Sequence, residues 1–460
     1  MKKNQDMTDI PRNAALTVLN TLSQPTHHHL DRIITDAIDN ANLKLSPRDR
    51  KFLNALIFGT LRWRGNIDWI IRQRSKTPLE KITPEVLNIL RLGLYQIFFL
   101  DRVPDSAAVN TSVEMAKHAA PPWVVKYVNA VLRNAIRSKA TLPFPSLNKN
   151  PALALSISKS FPRWLIKRWI SRFGIKECSK LCDALNSIPP ITVRCNTVKV
   201  QRDDLLEMLL SEAEMISLSL HSPDGLSFVR PQKPIHEFAV FKKGFFQVQD
   251  EAAQLVTCLL TPGPDEMVLD ACAGLGGKTG HIAQLMKNTG QIIAVDHDQK
   301  KLTQLNDTMQ RLGICNVMTR MHDFKTPMPD YPHQGFDRIL LDAPCSGLGV
   351  IRRNPDTKWG VSRKDLNQYG KKQLNLLENV SALLKIGGTI IYVVCSFEPE
   401  ENESVINDFL KTHKNFKIQH EFTDLPFDIR EFTDLEGFFR TFPHQHDMDG
   451  FFAVCLKRTT

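Results

Sequence analysis

The chain has 460 residues, enough for two or three domains that each bury a core, which excludes a disulfide miniprotein or a lone binding peptide. At 42% hydrophobic, 23% charged and 8% aromatic residues it holds too many core formers for a disordered chain, and it has no collagen-like period. The net charge of +10 suggests a polyanionic partner, and nearly all of it sits early: residues 1–148 hold 21 basic and 12 acidic side chains, residues 149–460 hold 38 and 37.

The N-terminus, MKKNQDMTDIPR, lacks the apolar segment of a signal peptide, and no run of 18 apolar residues occurs; LNILRLGLYQIFFL is interrupted by Arg91. No membrane partner is therefore expected. From Ile10 to about Ser138 apolar residues recur at helical spacing, as in Ile10, Ala14, Val18, Leu22 and in Val86, Leu87, Leu90, Leu94, Ile97, which predicts an all-α domain. Ser46-Pro47 and Thr83-Pro84-Glu85 read as helix starts with proline in the first turn. The run His27-His28-His29 has no partner spacing for a metal site and reads as a solvated turn. TLPFPSLNKNP, residues 141–151, is the first linker candidate.

Residues 152–245 carry a basic aromatic helix (FPRWLIKRWISRFG), a strand in ITVRCNTV, a helix near 203–213 and short strands, which together suggest a small α+β subdomain. Trp164 and Trp169 on that helix read as packing at least as well as RNA contacts. From Met267 the pattern alternates: strand MVLDACA, helix KTGHIAQLMKN, strand QIIAVDHD, a helix near 298–312, strands NVMTRMHD and DRILLDAP, a helix near 365–385, strand TIIYVVCS, another helix, then FKIQHEF and FFAVCLKR. This predicts a doubly wound, mainly parallel α/β sheet with its ligands at the carboxyl ends of the strands. The expected division is 1–142 all-α, 150–245 small α+β and 246–460 catalytic α/β.

The Gly-rich turn Gly274-Leu275-Gly276-Gly277-Lys278-Thr279 follows a strand and opens a helix. Standing alone it would be a plain tight turn. As a P-loop it fails at its first glycine, where Cys272 stands; as a dinucleotide fingerprint it fails at its third, which is Thr279. An S-adenosylmethionine turn fits better, because Asp296 closes the next strand where a carboxylate accepts from two vicinal ribose hydroxyls. Asp323 and Asp342 end further strands, and three strand-end acids converging on one crevice suit a cationic sulfonium better than phosphates.

Nine cysteines form no CxxC pair and no secreted framework, so a reduced, cytoplasmic setting without a metal is expected. Cys178, Cys182, Cys195, Cys258, Cys315 and Cys455 read as small buried hydrophobes. Cys345 in DAPCSG and Cys395 in VVCS stand at strand ends beside the cofactor turn and are candidate nucleophiles.

With DACAGLGGKT, LDAPCSGLGVIRRNPD, VVCSFEPEEN and FPHQHDMDGFF, the chain closely resembles the RNA cytosine-C5 methyltransferases. RDRKFLNALIFGTLRWRGNID, VPDSAAVNTSVEMAK and VNAVLRNAIR resemble the NusB-type RNA-binding domain fused to one branch of that family, the RsmB/Sun/Fmu enzymes of 16S rRNA; FFQVQDEAAQL also matches. The weakest stretch, about 150–240, is similar to the family's RNA-recognition-like subdomain. Two departures stand out: Leu275 replaces the usual proline of CAxPGGKT, which bears on how tightly the methyl donor is held, and Val394 precedes the cysteine where the family often has threonine.

The resemblance implies methylation of C5 of a cytosine in 16S rRNA through a covalent cysteine–C6 adduct, with Cys395 as nucleophile and Cys345 in product release. It implies S-adenosylmethionine as methyl donor, held by Cys272, Ala273, Gly274, Leu275, Gly276, Gly277 and Lys278, with Asp296 on the ribose, Asp323 near the adenine and Asp342 at the reaction centre, on cofactor or base. The expected partner is RNA with a single-stranded or opened target cytosine, acted on by a monomer. Cys345 is the alternative nucleophile, as in DNA cytosine methyltransferases. Competing functions are cytosine-C5 methylation of tRNA or 23S rRNA, and a non-catalytic RNA-binding or assembly factor; intact Cys345, Cys395 and three acids weigh against the last.

Overall fold

A computed structural model describes residues 9–24, 30–43, 45–329, 335–422 and 425–460, so the histidine run at 27–29 lies outside the described residues. The chain forms two compact units, one of residues 1–186 with 354–360 and the other of 187–353 with 361–460.

The first unit is helical: α1 (Ile10–Leu22), α2 (Leu30–Asn40), α3 (Pro47–Arg74), α4 (Pro84–Phe99), α5 (Asp105–Ala119), α6 (Pro122–Arg137), α7 (Pro151–Ser158) and α8 (Arg163–Asn186). Ser46 caps α3 by accepting from the Asp49 amide, with Pro47 behind it; Thr83 precedes Pro84 at α4 without such a side-chain bond. The apolar stripe of α4, with Ile89, Leu90, Leu92, Leu94 and Ile97, is the buried centre of this unit. Arg91 lies within that stripe and stays buried because Asp68 takes its guanidinium in two bonds of 2.7 and 2.9 Å. Gly174, at φ +79°, divides α8 at the residue where FPRWLIKRWISRFG ends. Trp169 is fully buried against Phe161, ring centres 5.6 Å apart, which makes it a packing residue. The Pro-rich stretch 141–151 is not a border between compact units, since α7 and α8 cluster with the preceding helices.

The second unit runs β1 (Ile191–Cys195), α9 (Arg202–Leu209), β2 (Glu214–Leu218), β3 (Gly225–Val229), α10 (Ala239–Lys242), β4 (Phe246–Val248), α11 (Glu251–Cys258), β5 (Met267–Asp270), α12 (Gly277–Leu285), β6 (Gln291–Asp296), α13 (Gln299–Leu312), β7 (Val317–Met321) and β8 (Phe336–Asp342). The short α14 (Thr357–Gly360) belongs to the helical unit; there the Lys358 ammonium is buried and donates to the Arg62 and Ser160 carbonyls and to Asn186 Oδ1, at 3.1, 3.2 and 2.6 Å. The second unit then continues with α15 (Arg363–Ser381), β9 (Leu384–Val394), α16 (Glu403–Thr412), β10 (Phe416–Ile418), β11 (Phe439–Arg440), α17 (Pro443–His446) and β12 (Phe452–Arg458).

Strands β2-β3-β1-β4 form an antiparallel sheet, the expected small α+β element. The larger sheet has the order β10-β12-β9-β8-β5-β6-β7, with β11 on β12. Its β9-β8-β5-β6-β7 part is parallel, and β12 pairs antiparallel with both β9 and β10, as expected of a Rossmann-like domain with an antiparallel strand toward one edge. The chain moves outward from β5 through β6 to β7, then crosses back to β8 and on to β9. The switch point therefore lies between β5 and β8, where a doubly wound sheet opens its crevice.

Five of the six cysteines read as buried hydrophobes are buried. Cys315 is not: it is exposed, in the turn that leads from α13 to β7, where its neighbour Ile314 takes the core-facing place.

Candidate functional site

Four strand ends meet at the switch point. The turn after β5 runs from Ala271 to Gly276 and hands over to α12, whose first-turn amides point back at the crevice. Gly276, at φ +84°, must be glycine: a Cβ there would lie 2.7 Å from the Leu305 side chain of α13. Gly274, at φ +56°, has nothing within 4 Å of the Cβ position, so its backbone is bare toward open space.

A cavity of about 210 Å³ opens here, lined by Gln249, Ala253, Asp270, Cys272, Ala273, Gly274, Leu275, Gly277, Lys278 and Asp342. Of the residues expected to hold a cofactor, Cys272, Ala273, Gly274, Leu275, Gly277, Lys278 and Asp342 line it directly. Gly276 shapes the turn instead. Asp296, buried at the end of β6, accepts from the Gly274 amide at 3.0 Å and the Asp298 amide at 2.9 Å, and so fixes the turn. Asp323 lies apart from the cavity lining. Its side chain is 45% exposed and bound to the Lys325 amide and ammonium, both at 3.0 Å; against the cost of partial burial, those bonds hold its carboxyl below the usual range.

Asp342, closing β8, receives the Lys278 ammonium at 2.7 Å, and that ammonium also lies over the Phe451 ring at 5.3 Å. Burial disfavours the charged lysine, but Asp342 and the nearby Cys395 sulfur outweigh it and hold Lys278 above its ordinary range. Cys345, three residues past β8, and Cys395, one residue past β9, face each other with sulfurs 3.2 Å apart. The bond with Cys395, reinforced by burial, pushes the Cys345 thiol well above the usual cysteine range.

Sequence reasoning missed two carboxylates. Asp270 ends β5 directly before the glycine turn, a strand-end acid like the three singled out. Thr279, the residue that spoils the dinucleotide pattern, donates to Asp270 Oδ2 at 2.7 Å, whereas the buried Asp270 Oδ1 has no partner among the described residues. The other is Glu401, in the quoted run CSFEPEEN, whose carboxylate binds the serines that follow both cysteines. Gln249 and Ala253 lay in the quoted FFQVQDEAAQL without a role.

Burial pushes the Asp270 carboxyl up to about 7, despite the opposing Thr279 bond. Relative to an unfolded value of 3.8, the folded chain keeps a proton between about pH 4 and 7 that the unfolded chain has lost. Stability is therefore expected to fall as pH rises through that window, by roughly 2–4 kcal/mol. Thermal unfolding between pH 4 and pH 8 checks this: Asp270→Asn, which cannot ionise but still accepts from Thr279, is expected to flatten the decline.

Three family models match the chain: the 16S rRNA methyltransferase RsmB/F over residues 257–457, the NusB family over 9–137, and an RsmF/B-like ferredoxin-like domain over 161–235. A Bacillus subtilis protein named "Probable ribosomal RNA small subunit methyltransferase B" is 33% identical over 449 residues, covering 97% of this chain and 98% of that one. An Escherichia coli "Ribosomal RNA small subunit methyltransferase B" is 36% identical, covering 80% and 83%. The solved structure described as "Crystal Structure of PH0851" superposes with a TM-score of 0.81 at 26% identity, covering 99% of this chain and all of that one.

Proposed function

Because the chain belongs to the RsmB/F family of 16S rRNA methyltransferases with a NusB domain, we propose that it methylates C5 of one cytosine in 16S rRNA, with S-adenosylmethionine as donor and Cys395 as covalent catalyst. The observation that carries this reading is the pair of sulfurs 3.2 Å apart at the ends of adjacent parallel strands, in the crevice that also holds the Lys278–Asp342 pair. Neither a P-loop nor a nicotinamide site calls for two facing thiols.

The residues present fit the donor. The bare backbone at Gly274 admits close approach, and the unpartnered Asp270 Oδ1 with Asp342 supplies acceptors suited to a cation and its amine. Cys272 to Gly274 and Lys278 would hold it, with Asp296, whose oxygens already accept the Gly274 and Asp298 amides, fixing the turn and taking ribose hydroxyls on its remaining lone pairs. When bound, it supplies an electrophilic methyl group.

Cytosine C5 is a poor nucleophile until C6 is attacked. Cys395 Sγ, as the thiolate, forms a bond to C6, and the C5–C6 π electrons pass to C5, making it the nucleophile to which the donor, when bound, would give its methyl group, the electron pair of the broken sulfur–methyl bond staying on the donor's sulfur as a thioether. Transfer of the C5 proton to water restores the double bond as the C6–S bond breaks and its electron pair returns to Cys395 Sγ. Cys345, whose thiol keeps its proton at neutral pH, stands beside the C6–S bond and assists the release step. The Lys278 ammonium stabilises negative charge beside that sulfur. The target base has to leave its stack to reach these groups, so the RNA strand is single or locally opened. The basic first third of the chain is the surface on which RNA phosphates are expected to lie.

Transfer of labelled methyl from S-adenosylmethionine to unmodified 16S rRNA, 23S rRNA and tRNA, with bisulfite sequencing, tests this. Label at a single cytosine of 16S rRNA is the expected result. Label confined to tRNA or 23S rRNA overturns the substrate, and bound donor without label in any RNA or in small-subunit particles overturns the enzyme reading.

A further inference from the structure

Glu401 is fully buried, and its carboxylate accepts four hydrogen bonds. Oε1 takes the Ser346 amide at 2.7 Å and Gln373 Nε2 at 3.2 Å. Oε2 takes the hydroxyls of Ser346 and Ser396, each at 2.5 Å. Ser346 directly follows Cys345 and Ser396 directly follows Cys395, so one carboxylate binds both cysteine-bearing turns. Its own backbone is tied down, because the Tyr392 hydroxyl donates to the Glu401 carbonyl at 2.6 Å. Gln373 also donates to the Pro344 carbonyl at 3.1 Å, and the Gly349 amide donates to the Cys395 carbonyl at 2.9 Å, so the two turns are cross-linked on either side of the sulfurs.

A buried carboxylate is a costly way to join two strand ends when apolar side chains would pack as well. What it adds is fixed geometry: four donors in set directions leave the serines, and the cysteines before them, little freedom. We propose that Glu401 is a positioning residue, whose carboxylate draws Ser346 and Ser396 together and holds the Cys345 and Cys395 sulfurs at the separation that addition to and release from C6 require. The proposal rests on the two-thiol reading above, but its geometric content can be measured apart from methylation.

The test uses the full chain and the variants Glu401→Ala and Glu401→Gln, with S-adenosylmethionine binding as a check on the fold. Diamide, a thiol oxidant, takes two electrons and two protons from a pair of adjacent thiols, which become a disulfide while its N=N bond is reduced to a hydrazine. The rate of formation of the Cys345–Cys395 peptide pair, read by mass spectrometry, therefore reports how the sulfurs are held. The wild-type protein and Glu401→Gln, which keeps an acceptor for Ser346, are expected to cross-link at similar rates, and Glu401→Ala about tenfold more slowly, with kcat lowered about 100-fold and the KM for RNA nearly unchanged. Cross-linking of Glu401→Ala at the wild-type rate, or a loss confined to KM, overturns the proposal. If Glu401→Ala fails to bind the donor, Ser396→Ala takes its place, and wild-type cross-linking and kcat in that variant overturn the proposal equally. A wild-type chain that makes no 5-methylcytosine, in which Glu401→Ala still slows cross-linking, overturns the functional reading and leaves the clamp standing.

Discussion

Cys395→Ala is expected to lower methyl transfer by about 10⁴-fold or more and to leave no covalent protein–RNA species on a denaturing gel. Without the sulfur, C6 is not attacked and C5 stays unreactive. Cys345→Ala is expected to do something different. Its Cys395 still adds to C6 and the methyl group still moves, but release is impaired, so a complex of protein and methylated RNA accumulates that resists denaturant. The contrast follows from the placement of the two thiols. They are near enough to serve the same carbon, yet the proton stays on Cys345, held there by its bond to Cys395 and by burial. The reverse outcome, with adduct trapped by Cys395→Ala and absent from Cys345→Ala, would make Cys345 the nucleophile, as in the DNA enzymes.

Lys278→Met is expected to carry the second largest effect, a loss of about 10³-fold in kcat/KM. The substitution keeps most of the side chain's length and removes the charge, so Asp342 loses the ammonium at 2.7 Å and the cation beside the Cys395 sulfur is gone. Its effect on folding is smaller, because Asp342 is about a third exposed and water screens it. A double-mutant cycle with Asp342→Asn separates the two effects. The variants are expected to couple by about 1 kcal/mol in stability, since the neutral amide introduced by Asp342→Asn has no need of the ammonium, while activity stays low in the double variant. The sign with pH is set by the raised lysine value. The pair's contribution is complete below the ordinary lysine range and is lost only as pH rises past it, so thermal stability between pH 7 and pH 9 should show no step from Lys278. A step in that range that disappears in Lys278→Met would contradict this assignment.

Much of the second unit was legible because its elements are local statements. MVLD, QIIAVD and DRILLD are short apolar runs that end in an acid, and a run that ends in an acid marks both a buried parallel strand and its open end. The proline-led helix starts at Pro47 and Pro84 are equally local. The basic aromatic helix ended at Gly174 for the same reason, since only glycine readily takes that backbone conformation. Cys315 differs from its expected burial because burial is not local: the same small thiol that fills a core at Cys258 sits in the open after α13, where the adjacent Ile314 is the residue turned into the core.

The order of elements, the glycine turn, the two strand-end cysteines and, through the quoted motifs, the family could all be read along the chain. Those depend on periodicity, on backbone conformations that few residues adopt, and on residue types in fixed spacing. Which strand ends share the crevice could not be read that way. The crossing from β7 back to β8 places Asp342 beside Asp270 at the switch point, leaving Asp296 to hold the turn and Asp323 to bind Lys325 at the sheet's edge. Folding likewise brings Glu401, six residues past Cys395, back under both cysteine turns. Spacing along a chain reports what a residue can reach locally, but strand order sets which distant residues meet, and a buried charge finds its donors only after the sheet has closed around it.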